Sequence, residues 1–197
     1  KYVPVAVASL TFFTFPLVVA PISHLMKIDK LTQIRVLAMI IAFCGLCLLL
    51  GTTYNLQWVG ISMAFAAGLF VATSFIVSKP LTEDLSPLTM AVFATGLPCL
   101  AYAISSILSG DLTHPQNFPG GVGLVANSIC HAIGLTCCYA AIARLGPTRT
   151  AVMMNVEPLI SVLAAYLILG QAVTFVQSLG IIGVVSGIVL MSYTRND

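Results

Sequence analysis

Seven long apolar stretches, each about the length of a bilayer-crossing helix and each closed by a short polar or proline-bearing turn, account for nearly the whole chain. They run from Val3 to Met26, Ile34 to Leu50, Val59 to Val77, Leu88 to Leu108, Gly121 to Ala143, Thr150 to Leu169 and Val173 to Tyr193. None shows the period-two alternation of a barrel strand, so the pattern predicts helices. The turns are marked by Lys79-Pro80 with Ser86-Pro87, by the polar stretch Ser109 to Gly120 carrying Pro115 and Pro119, and by Gly146-Pro147. The second stretch is short and follows closely on the first. Nothing remains that could form a soluble domain or a low-complexity tail.

The first two stretches recur in the last two. Ala8 to Leu50 aligns without a gap to Thr150 to Ser192, anchored by Pro16-Leu17 against Pro158-Leu159, Leu25 against Leu167, Thr32 against Thr174, Leu37 against Leu179, Ile40 against Ile182, Gly45 against Gly187 and Leu48 against Leu190. Most other pairs match apolar with apolar, and the turn falls at the same place in both copies. Each partner stands five stretches further along the chain, an odd offset, so the partners enter the membrane from opposite sides. Inverted repeats of this kind build secondary transporters, whose halves move about a site near the bilayer midplane. The predicted fold is therefore an all-α membrane protein of seven transmembrane helices, part of a ten-helix inverted-repeat (5+5) transporter fold. Residues 1–51 supply the last two helices of the first repeat, and residues 56–197 the complete second five-helix repeat. The chain begins at Lys1 without an initiator Met or a signal-peptide pattern. The expectation is a piece of a protein on the order of 300 residues, ten spans of about 20 residues with their turns.

Composition agrees: 59% of residues are hydrophobic, 7% are charged, and the mean hydropathy is +1.05, too little charge to cover a soluble domain. Seven of the eight basic residues (Lys27, Lys30, Arg35, Lys79, Arg144, Arg149 and Arg195) fall on the side shared by the first, third and fifth connections and the C-terminus. The positive-inside rule makes that side cytoplasmic and places the protein in the cell membrane, multi-pass, with its C-terminus inside. The net charge of +2 is thus topological and gives no case for nucleic-acid binding.

One formally charged residue, Glu157, lies well inside a predicted span. An ionisable group in hydrocarbon costs several kcal/mol by the smaller estimates, so it faces a protein interior or a wet cavity. The repeat partner of Glu157 is Phe15 and that of Asn155 is Phe13, so this polar pair belongs to the second copy alone and suggests a ligand. Asn127 and His131, four apart, share a face of the fifth helix. Counting from the Gly146-Pro147 hairpin at about 1.5 Å per residue puts His131 about 22 Å and Glu157 about 16 Å deep, close enough for contact through water or a ligand. Pro158 has no N–H for the carbonyl near Met154, where a kink is expected. Tyr139 in the fifth helix and Thr73 and Ser74 in the third are weaker substrate-binding candidates.

Structural readings stand beside these. A protonated Glu157 could simply bond a neighbouring helix, and His131, Asn127 and Asn155 could be interhelical packing groups. Gly180, Gly183 and Gly187, with Ser186, form a small-residue stripe on the last helix that could serve a homodimer, although packing within the chain is the preferred reading. The six cysteines, Cys44, Cys47, Cys99, Cys130, Cys137 and Cys138, lack metal-type spacing and read as small core residues. No metal or other cofactor is expected. Neither is an enzyme, because Gly-x-Ser-x-Gly, His-Glu-x-x-His and an intramembrane aspartate pair are all missing.

The stretch from Ala143 to Ser161 (ARLGPTRTAVMMNVEPLIS), continuing through Leu169 to Thr174 (LGQAVT), resembles the last two helices of an EamA-type member of the drug/metabolite transporter superfamily. The likeness covers essentially the whole chain, since Phe15-Pro16 to Leu50 looks like the end of the first repeat. It implies ten helices in two inverted five-helix repeats, both termini cytoplasmic, and passage of small metabolites through a central cavity. One departure is Gln171, where family members usually carry Glu; Asp29 keeps the acid in the first copy. The function expected is alternating-access movement, as efflux, of small molecules such as amino acids, amines or drug-like solutes across the lipid bilayer. In that reading Glu157 would bind a cationic group or exchange a proton, and Asn127, His131 and Asn155 would orient polar groups. The alternative is a non-transporting membrane partner or an inactive truncated remnant.

Overall fold

In a computed structural model, residues 5–50, 58–110 and 117–193 are described. Val3, Pro115, Lys1 and Arg195, used above for the first stretch, a turn and the orientation, lie outside the described residues. Among the described residues every regular element is an α-helix: α1 Val5–Phe12, α2 Phe15–Leu25, α3 Gln33–Leu50, α4 Trp58–Leu81, α5 Pro87–Ser109, α6 Phe118–Leu145, α7 Pro147–Met153, α8 Val156–Leu169 and α9 Phe175–Tyr193. They make seven segments long and apolar enough to cross a membrane. Two of these, Val7–Leu25 and Pro147–Ile168, are broken into α1 with α2 and α7 with α8. The third span continues through Lys79-Pro80 to Leu81. The stop before α5 is made instead by Ser86, whose hydroxyl accepts the Thr89 N–H at 3.1 Å, with Pro87 in the first turn.

The chain divides into two compact units, Lys1–Lys79 with Leu145–Asp197, and Pro80–Arg144. In the first, α3 and α9, the second helices of the two repeat copies, form the most extensive helix pair. Glycine makes this possible. A Cβ on Gly180 would lie 2.5 Å from the Leu49 nitrogen, and one on Gly45 2.5 Å from the Val184 nitrogen. Gly183 and Gly187 face Gly45 and Ala42 in the same way. The small-residue stripe is thus filled by α3, while Ser186 is exposed outside it. Around this seam Ala20, Ala38, Met39, Ala42, Val152 and Met191 form an apolar core. Contacts of α1 with α3 recur as contacts of α7 with α9, the equivalent pair in the other copy.

A polar anchor joins the turn after α2 to α7. The Asp29 carboxylate accepts the Thr148 N–H at 3.0 Å and lies against Gly146, where any Cβ would collide with it and where φ is +84°. The positive φ is what calls for glycine at 146. Elsewhere the outer faces stay apolar; Phe70, Leu108 and Phe118 are all largely exposed, as suits side chains solvated by lipid. Only Cys138 of the six cysteines is buried, and Cys44, Cys99, Cys130 and Cys137 are exposed. The expectation of core thiols fails because a helix in lipid can place a small apolar group on its outer face at little cost.

Candidate functional site

The two interrupted spans owe their breaks to the two repeated prolines. Pro158 offers no N–H to the Met154 carbonyl, and the chain tightens locally: Asn155 N–H donates to Val152 O at 3.1 Å and Glu157 N–H to Met154 O at 3.0 Å. Pro16 does the same one repeat earlier, with Thr14 N–H to Thr11 O at 3.3 Å and Leu17 N–H to Thr14 O at 2.9 Å. The break expected near Met154 is present. Its counterpart after Phe12 follows from the same residue in register and was readable from Pro16.

Chemistry separates the two breaks. The first is packed with aromatic rings: Phe12 and Phe13 meet edge to face at 5.4 Å, and Phe15 lies 5.4 Å from Phe75 of α4. Its carbonyl side is closed by α4 at Gly68, where a Cβ would stand 3.0 Å from Phe12 O. At the second break the ring positions are taken by Asn155 and Glu157. Asn155 occupies the N-cap of α8 without capping it, is 3% exposed, and keeps its Oδ1 without a protein partner. A buried amide acceptor left unmatched costs about 1–3 kcal/mol.

Glu157 is exposed in the first turn of α8, where a carboxylate sits favourably against the helix dipole. Its backbone carbonyl accepts the Ser161 hydroxyl at 3.0 Å. The carboxylate itself has no hydrogen bond or ion pair among the described residues. It is therefore open to a hydrogen-bond donor or a cationic group.

The other candidates are placed as follows. Thr73 and Ser74 are exposed on α4, on the face away from the buried Ala72, Phe75 and Ile76, and the Thr73 hydroxyl donates to its own helix at Leu69 O, 2.8 Å. Asn127, His131 and Tyr139 stand on α6 in the second unit. Asn127 and His131 are both exposed, whereas Tyr139 is 6% exposed. Within one unit, then, the structure brings together Asn155, Glu157 and the break. An open apolar groove along α6, lined by Phe118, Val122, Val125 and Ile129 among others, contains none of the candidates. The polar cluster at Asp29, Arg35, Thr148 and Arg149 was not singled out from the sequence, because its members lie far apart in the chain.

Comparison with known proteins bears on all of this. Residues 58–193 match the EamA-like transporter family. An "Uncharacterized transporter" of Archaeoglobus fulgidus is 25% identical over 186 residues, covering 94% of this chain and 66% of that protein. "Uncharacterized transporter YyaM" of Bacillus subtilis is 20% identical, covering 90% of this chain and 61% of its own length. The chain thus spans somewhat under two thirds of these relatives. A solved crystal structure shares the fold with a TM-score of 0.75 at 19% identity, covering 99% of this chain and 71% of that one.

Proposed function

The chain belongs to the EamA-like transporter family, and from that premise we propose that it moves small solutes, such as amino acids, amines or drug-like molecules, outward across the cell membrane. The mechanism is alternating access of two inverted five-helix repeats in a ten-helix arrangement. The greater length of the relatives supports that arrangement, as do the paired proline breaks and the repeated contacts of α1 with α3 and α7 with α9. Transport, in place of catalysis, is the reading that family membership favours.

One observation carries the site: Asn155, buried with an unmatched acceptor at a break whose repeat counterpart is filled with phenylalanine. Broken spans at substrate sites expose backbone dipoles and polar side chains where a solute can meet them. Asn155 accepts a hydrogen bond from a donor on the solute, and Glu157 beside it binds the solute's cationic group or exchanges a proton. The cytoplasmic side is that of the basic connections, with the C-terminus inside.

The test is accumulation and efflux of labelled amino acids and small amines in cells producing the full-length protein or its Glu157→Gln variant. A flux that falls at least tenfold in the variant, with loss of its pH dependence, is expected. Unchanged flux in a correctly inserted variant would remove Glu157 from the mechanism. No flux of any compound from the folded wild type would favour the non-transporting partner or remnant.

A further inference from the structure

We propose that Arg35 and Arg149 form a binding site for a phosphate group, separate from the Asn155 and Glu157 site. Both are well buried, at 5% and 9% exposure. Each stands in the first turn of its helix, Arg35 in α3 and Arg149 in α7, where the helix dipole disfavours a cation. They also interact electrostatically with one another, and Asp29 is the carboxylate near Arg149. Burial, mutual repulsion and the dipole all oppose this pair of charges, and one carboxylate against two guanidinium groups leaves a surplus of positive charge. One Asp29 oxygen is moreover committed to the Thr148 N–H at 3.0 Å.

The unmatched donors point to the missing partner. Arg35 gives Nη1 to the Lys30 carbonyl at 2.6 Å, but its Nε has no partner. Arg149 has neither Nε nor Nη2 engaged. The buried hydroxyls of Thr148 and Ser23 are also unpaired. The Ser23 carbonyl accepts the Ile28 and Asp29 N–H groups at 2.9 and 3.2 Å and so holds the turn that carries Asp29. Three guanidinium nitrogens, which carry four N–H groups, and the Thr148 hydroxyl exceed the roughly four acceptor positions of a carboxylate, whereas a phosphate presents three or four oxygens to such forks. The group could be carried by a soluble phosphate ester or by the headgroup of an anionic lipid, since both arginines lie at the ends of spans where headgroups are found.

Thermal unfolding of the purified protein separates the sources. In detergent, inorganic phosphate is titrated against chloride at matched ionic strength. In nanodiscs, phosphatidylglycerol is compared with phosphatidylcholine. A saturable rise of about 5 °C at a hundredfold excess over Kd is expected in the phosphate arm for a soluble ligand. A rise confined to the phosphatidylglycerol arm assigns a lipid. In either case Arg149→Gln and Arg35→Gln abolish the rise, and Lys27→Gln, at an exposed turn position, keeps it. The proposal is overturned if the wild type responds to neither phosphate nor phosphatidylglycerol. An equal response in a folded arginine variant overturns it too. Should both arginine variants fail to fold, the saturable wild-type response that survives in Lys27→Gln decides.

Discussion

Asn155 and Asp29 are both short polar side chains at helix N-termini, and they are used in opposite ways. Asp29 caps α7 from across the unit through the Thr148 N–H. Removing such a cap costs about 1–2 kcal/mol, so Asp29→Ala should lower the thermal midpoint by about 3–6 °C. Asn155 sits at the N-cap of α8 without capping it and holds an unmatched acceptor in a buried place. Truncating an unsatisfied group removes a penalty along with a contact. Asn155→Ala should therefore leave stability within about 1 kcal/mol of wild type or raise it, while flux falls about tenfold, the value of one lost polar contact. Equal loss of stability and flux in that variant would mark Asn155 as a packing residue. Asn155 and Glu157 were legible in the sequence, because polar groups in an apolar run stand out against their phenylalanine partners. Arg35, Thr148 and Arg149 were not, since residues near the ends of spans are ordinarily polar and only three-dimensional neighbourhood shows them buried.

The seam between α3 and α9 is set by backbone approach at Gly45, Gly180, Gly183 and Gly187. A side chain at Gly180 meets backbone at Leu49, which cannot swing away, so Gly180→Val should lower the midpoint by about 6 °C or more or prevent folding. Gly123 on α6 has nothing within 4 Å of its would-be Cβ. Gly123→Ala should stay within about 1 kcal/mol of wild type, on the stabilising side. Midpoints from detergent-purified variants check both, and indistinguishable effects at the two positions would contradict the close-packed seam. The spans were readable as single helices from their apolar length. Their interruptions were half readable: Pro158 announced one break, and Pro16, in the same register, marks the other. Lys79-Pro80 misleads in the opposite direction. A proline close to a helix end disturbs few backbone bonds, so α4 passes through it to Leu81.

At the scale of the molecule, the orientation proposed above puts the basic connections on the cytoplasmic side. Single cysteines placed at Lys27 and Glu83, in a background without the six native ones, should resist a membrane-impermeant maleimide in intact cells, while one at Gln171 reacts. Labelling at Lys27 with protection at Gln171 would reverse the orientation. What the sequence determined by itself is the membrane class, the seven apolar helices and their order among the described residues, and the family. Each follows from chain-local quantities: apolar length against bilayer thickness, and residue identity along a short stretch. What only the tertiary structure decided is which polar groups are buried and what they touch. Asp29 and Thr148 are 119 residues apart yet share a hydrogen bond. Burial and pairing belong to groups brought together by packing, and desolvation acts on that neighbourhood whatever the order of the residues along the chain.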